Sequence, residues 1–237
     1  LFARLVGKYF ADDEVAVVQG DAGVAQAFAL LPFGHLLFTG STKVGYSVMR
    51  AAAENLTPVT LELGGKSPAI IGAGYPLHKA AERIVVGKLL NAGQTCIAPD
   101  YVLLPQGQEQ AFEQAYGRAV ARLFPSIMGN GDYAAIISPR HLARLRTMLQ
   151  QAQTQGAQVL SMDPAQGKSV APASAVLDGA TSRQMAPVLV LGATSAMQLM
   201  QEEIFGPILP VISYDRLDDA VAHINAGPRP LALYWFG

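Results

Sequence analysis

Cysteine is almost missing: Cys96 is the only one in 237 residues. One thiol excludes an internal disulfide and suits a reducing compartment, so a cytoplasmic location is expected. Charge is scarce as well. Asp, Glu, Lys and Arg make up 15% of the chain, with a net charge of −1, where about a quarter is usual. With no basic stripe, a nucleic-acid partner is not expected. No apolar run approaches the roughly 18 residues of a membrane span, and no signal-peptide core follows Arg4 and Lys8. The histidines, His35, His78, His141 and His223, are scattered without metal-ligand spacing, so no metal site is expected. Neither G-x-G-x-x-G nor G-x-S-x-G occurs, which removes the standard dinucleotide fingerprint and the serine-hydrolase elbow.

Apolar residues are plentiful, at 51%. So little charge cannot cover a free-standing globule, and much of the outside is expected to pack on other protein, in an oligomer or as part of something larger. The chain opens on Leu1 and stops at Gly237, just after an apolar run, and reads as a piece cut at both ends.

Along the first sixty-odd residues strands and helices alternate. Strands are expected at 15–18, 35–38 and 58–63, and helices at 1–10, 22–31 and from about 42 to 55. The strands are continuous apolar runs, as in a parallel sheet covered on both faces. The expected fold is α/β: part of a Rossmann-like parallel-sheet domain, followed by a second α/β domain, with the boundary at Gly64-Gly65. The second series has strands at 69–71, 101–104, 159–160, 187–191, 208–212 and 231–236. Helices are expected at 77–91, 108–123, 139–155 and 217–226, and loops at 161–186. Ser138 followed by Pro139 is a clear helix start.

Cys96 lies in Asn91-Ala92-Gly93-Gln94-Thr95-Cys96-Ile97-Ala98-Pro99-Asp100. Small and polar residues surround it, whereas a core cysteine would sit among Leu, Val and Ile. That setting suits a thiol presented on a loop; an inert lone cysteine, the commoner case, is the alternative. Phe38-Thr39-Gly40-Ser41-Thr42-Lys43-Val44-Gly45 joins a strand to a helix, where α/β sheets bind ligands and where a helix N-terminus favours phosphate. An ordinary capped turn reads the same way. In Leu61-Glu62-Leu63-Gly64-Gly65-Lys66-Ser67, Glu62 is an acid between leucines at a strand end. It is either a solvent-facing edge residue or a general base in a cleft. Gly64-Gly65-Lys66-Ser67 imitates a P-loop tail, but Thr60 stands where the motif needs glycine. Glu202-Glu203-Ile204-Phe205-Gly206-Pro207 pairs acids suited to ribose hydroxyls with a ring that can pack on a flat ring; a solvated turn is the alternative.

Together, in this order and with 34 residues from Glu62 to Cys96, these stretches resemble the NAD(P)-dependent aldehyde dehydrogenase superfamily over nearly the whole chain. The sequences at 91–100 and 229–234 resemble its class 3-like branch, which includes fatty, aromatic and coniferyl aldehyde dehydrogenases. The resemblance implies that Cys96 attacks the aldehyde carbon, that hydride passes to NAD or NADP, and that Glu62 activates the water that hydrolyses the thioester. It implies that Thr39, Gly40, Ser41, Val44 and Leu63 line the cofactor, that Glu203 holds the nicotinamide ribose and that Phe205 packs beside the nicotinamide. It also implies an aldehyde substrate, aromatic or medium- to long-chain, and a homo-oligomer, with a dimer favoured. The family's oxyanion Asn would lie upstream of Leu1, and Asn91 does not take that role. Two other readings stand beside it. One is an inactive structural or assembly piece. The other is an acyl-thioester or phosphate-linked reductase, against which Glu62 argues.

Overall fold

The computed structural model describes residues 1–166 and 182–237. The chain forms two compact units, Leu1–Leu63 and Gly64–Gly237. Most of the loop expected at 161–186 lies outside the described residues.

In the first unit, helices α1 (Phe2–Tyr9) and α2 (Ala22–Ala29) precede strand β1 (Leu36–Gly40), helix α3 (Thr42–Ala53) and strand β2 (Val59–Leu63). Asp21 caps α2, its carboxylate accepting from the backbone N–H groups of Gly23 and Val24. β1 and β2 pair in parallel with α3 as their crossover, so Thr39 sits opposite Glu62 and Gly40 opposite Leu63. Gly45 of α3 is buried, and a Cβ there would lie 2.9 Å from a Leu63 methyl, so the helix packs closely on the strand and a larger residue would push the Leu63 side chain aside.

The run 15–18 is not a strand. β1 and β2 form a sheet of only two strands within this unit, so the run has no ladder to join there, and Val15 and Val18 are exposed. The strands are not covered on both faces either: their burial alternates with exposure, and Leu37 is 67% exposed.

Among the described residues, the second unit is built on a six-stranded sheet in the order β5-β6-β7-β4-β3-β8. Its strands are β3 (Pro68–Ile71), β4 (Tyr101–Pro105), β5 (Gln158–Ser161), β6 (Val188–Leu191), β7 (Ile208–Tyr214) and β8 (Tyr234–Phe236). All neighbours are parallel except β5 and β6. β3 and β6 are buried along almost their whole length, as a parallel sheet between helices requires. The helices are α4 (Leu77–Leu89), α5 (Glu109–Leu123), α6 (Pro139–Thr154), the single turn α7 (Gln198–Gln201) and α8 (Leu217–Asn225). Ser138 caps α6 by accepting from the His141 N–H, with Pro139 in the first turn. One hydrophobic core runs through the unit, with Ile71, Ile84, Leu103, Phe112, Leu145 and Leu189 at 0–1% exposure. Such a sheet holds its loops on a rigid base, and the candidate site lies on those loops.

Candidate active site

In the first unit the carboxyl ends of β1 and β2 meet the start of α3. Ser41 is the N-cap: its backbone is extended and its Oγ accepts from the Val44 N–H at 3.4 Å. Thr39, Gly40, Ser41 and Val44 are all exposed there, Glu62 is exposed on β2, and Leu63 is half-buried. The expected cofactor residues of this unit are therefore gathered on one edge. The N-terminus of the 12-residue α3 offers free N–H donors to a phosphate, with no acidic side chain in its first turn to oppose it.

In the second unit α4 ends in a short 3-10 turn in which Asn91 (φ 51°) and Ala92 (φ 53°) adopt left-handed backbone. Two consecutive non-glycine residues in that region are costly and need support from their surroundings. The support is visible. The Asn91 amide donates to the Gln94 carbonyl at 3.2 Å, and the Gln94 amide donates back to Asn91 O at 3.0 Å. The same Gln94 amide donates to Ala135 O at 3.1 Å, and its Oε1 accepts from Ile137 N at 2.8 Å. The turn thus hands the chain to the cysteine loop in a fixed direction, and Cys96 stands exposed at its crest.

The far end of that loop is fixed by Asp100, which is 3% exposed. Its Oδ2 pairs with Lys66 Nζ, and its Oδ1 accepts from Ile204 N at 2.9 Å. Lys66 also donates to Leu199 O at 2.7 Å and Glu202 O at 3.2 Å. One lysine and one aspartate therefore join three segments: the Gly64-Gly65-Lys66-Ser67 strand entry, the cysteine loop and the Glu202–Pro207 turn. Gly93 meets the same turn directly: at φ 76°, a Cβ there would lie 2.3 Å from Gly206 O. Only glycine permits that approach.

Glu203 and Phe205 lie on this turn. The Glu203 carboxylate accepts from the Gly65 N–H and fills the space beside Gly64, where a Cβ would come within 2.0 Å of Oε1. Burial raises the Glu203 pKa and Asp100 adds to the rise, while the Gly65 N–H, Arg144 and Lys66 oppose it. Phe205 has φ 53°. His141 Nε2 donates to its carbonyl at 2.7 Å, and Arg144 donates to Glu203 O at 3.2 Å and to Ile204 O. His141 Nε2 must therefore carry the hydrogen. Burial lowers the His141 pKa, and Arg144 adds to the lowering, against the hydrogen bond to Phe205. A cleft of about 480 Å³ lies beside this turn, lined by Ile137, Ser138, Arg140, His141, Arg144 and Phe205.

The structure thus groups Thr39, Gly40, Ser41, Val44, Glu62 and Leu63 in one unit, and Cys96, Glu203 and Phe205 in the other. Sequence reasoning missed the residues that hold the second group. Lys66, Gln94 and Asp100 sat inside the quoted motifs without a role. His141 and Arg144 carried no signal, because they act through backbone carbonyls more than 50 residues away. Lys88 was also missed. It is fully buried on α4, its Nζ has no hydrogen-bond partner among the described residues, and burial lowers its pKa to about 8. Among the described residues no cluster of His, Cys, Asp and Glu could hold a metal, and no helix is long and apolar enough to cross a membrane.

Comparison with known proteins adds the following. The family model described as "Aldehyde dehydrogenase family" matches residues 1–236. The chain is 52% identical to the probable coniferyl aldehyde dehydrogenase of Pseudomonas aeruginosa, over 100% of this chain and 47% of that protein. It is 40% identical to aldehyde dehydrogenase family 3 member A2 of Mus musculus, over 100% of this chain and 45% of that protein. Among solved structures, substrate-bound AldH of Staphylococcus aureus superposes with a TM-score of 0.86 at 37% identity, over 100% of this chain and 48% of that one. The chain spans about half the length of these relatives.

Proposed function

Because the chain belongs to the aldehyde dehydrogenase family, we propose that its residues serve the oxidation of an aldehyde to a carboxylic acid with NAD(P)+. Water supplies the second oxygen. The observation that carries this reading is the exposed Cys96 on a loop tied at both ends, by Gln94 and by Asp100. An inert thiol needs no such framing. Cys96 Sγ bonds to the aldehyde carbon and gives a thiohemiacetal, whose oxidation leaves a thioester. Glu62 then takes a proton from water as the water oxygen attacks the acyl carbon. The C–S bond breaks, releasing the acid and restoring Cys96.

NAD(P)+, when bound, supplies the hydride acceptor. The chain's own residues fit it. The open N-terminus of α3 with Gly40 and Ser41 suits the pyrophosphate, with Thr39, Val44 and Leu63 around it. The Glu203 carboxylate, seated beside Gly64, suits ribose hydroxyls, and Phe205 suits the nicotinamide face. The substrate we propose is an aromatic aldehyde such as coniferyl aldehyde, supported by the name of the Pseudomonas aeruginosa relative, with a medium- or long-chain aliphatic aldehyde as the next candidate. A homodimer in a reducing compartment completes the reading.

The test uses the full-length protein. Cys96→Ala is expected to abolish aldehyde-dependent NAD(P)H formation, and substantial remaining turnover would remove Cys96 as the nucleophile. Glu62→Gln is expected to keep a rapid first burst of NAD(P)H and to slow the turnover that follows; loss of the burst would assign Glu62 another role. The half-length span favours a second reading, an assembly piece without turnover of its own. Clear aldehyde oxidation by the 237-residue chain alone would sink it.

A further inference from the structure

We propose that Tyr234 is a positioning residue for the nucleophile, its hydroxyl pinning the loop at the carbonyl of Ile97, the residue directly after Cys96. This inference rests on the reading of Cys96 given above. The loop has ties at its ends, Gln94 and Asp100, and one internal turn, the Ala98 N–H donating to Thr95 O at 3.1 Å. None of those bonds holds the Ile97 carbonyl itself. Tyr234 supplies the tie at the crest by donating its phenolic hydrogen to Ile97 O. It does so from the sheet itself, because β8, the edge strand beside β3, pairs in parallel with it and sets Tyr234 beside the buried Ala69. Burial raises the Tyr234 pKa, and Cys96 adds to the rise, so the phenol keeps its hydrogen and remains the donor to Ile97 O.

Ile97 O is one residue from the reacting sulfur, so a swing of that carbonyl moves the sulfur with it. Misplacement of a nucleophile by ~1 Å can cost ~100-fold in rate, and one tie among three controls part of that.

The test compares Tyr234→Phe with wild type in the full-length protein. The substitution keeps the ring and removes only the hydroxyl. The NAD(P)H burst rate is expected to fall about 3- to 10-fold, the range one net hydrogen bond spans, with the KM for NAD(P)+ unchanged. The amides of Cys96, Ile97 and Ala98 are expected to exchange hydrogen faster. A 3-fluorotyrosine placed at position 234, which keeps the hydroxyl, is expected to restore both. A wild-type burst rate in Tyr234→Phe overturns the proposal, as does failure of the fluorotyrosine to restore it. If wild type oxidised no aldehyde, the proposed reaction would fall. The exchange comparison would then decide the tether, and wild-type exchange in Tyr234→Phe would overturn it.

Discussion

At the scale of single residues, the site depends on close approaches that tolerate few substitutions. Gly93 has both a positive φ and a backbone carbonyl 2.3 Å from where its Cβ would stand. Gly93→Ala is expected to cost about 2–4 kcal/mol, the sum of left-handed strain and a clash that backbone cannot yield to cheaply; urea unfolding measures it. The Lys66–Asp100 pair is a different case. Asp100 is 3% exposed, so Lys66→Met would strand a buried carboxylate and is expected to destabilise by about 3 kcal/mol. It would also remove the Lys66 ties to Leu199 O and Glu202 O and leave the Glu202–Pro207 turn held at Ile204 N alone among these bonds, so the KM for NAD(P)+ should rise in the full-length protein. Cys96 and Glu62 stood out in the sequence as candidates, one the single thiol among small and polar residues, the other an acid between leucines. Lys66 and Asp100 were read past, because a lysine beside glycines and an aspartate after proline look like solvated turn residues. Their pairing brings positions 34 residues apart into contact, and no local pattern encodes that.

At the scale of elements, apolar runs and caps located most strands and helices, since a parallel strand buried on both faces must be apolar throughout. The expectation at 15–18 failed because being apolar does not supply a partner strand. The turn α7 was invisible, being four residues long. The left-handed backbone at Asn91, Ala92 and Phe205 was equally hidden, because tertiary hydrogen bonds from Gln94 and His141 sustain it rather than residue type. Helix α4 carries one further consequence. Its Lys88 has a folded-state pKa of about 8 against 10.5, caused first by burial, with Lys66 adding to the lowering and Asp100 and Glu203 opposing it. Below pH about 8 the folded protein bears the full cost of a buried ammonium. Between about 8 and 10.5 it sheds the proton while the unfolded chain keeps it. The unfolded state then binds more protons, so stability contributed by this group rises with pH across that window. Tyr101, raised to about 12 mainly by burial, acts in the opposite direction only above about pH 10, where its ordinary ionisation begins. Urea midpoints measured from pH 7.5 to 9.5 should therefore climb relative to those of Lys88→Met; parallel curves would contradict the assignment.

At the scale of the whole molecule, the low charge read from composition reappears as exposed apolar side chains. Leu56 is 90% exposed, Leu37 67%, Tyr46 63% and Met49 52%. All four belong to the first unit, whose two-stranded sheet has little to cover it. We predict that the full-length protein is a dimer by light scattering; a monomer at micromolar concentration would contradict this. What the fold contributes to the proposed chemistry is division of labour: one unit gathers Thr39, Gly40, Ser41, Val44, Leu63 and Glu62, and the other frames Cys96 and seats Glu203. The central claim is that Cys96 carries the acyl group through the reaction. Mass spectrometry of full-length Glu62→Gln, quenched after mixing with aldehyde and NAD(P)+, tests it most directly. The account predicts an acyl mass on the peptide containing Cys96. An unmodified Cys96 peptide, with NAD(P)H already formed, would contradict it.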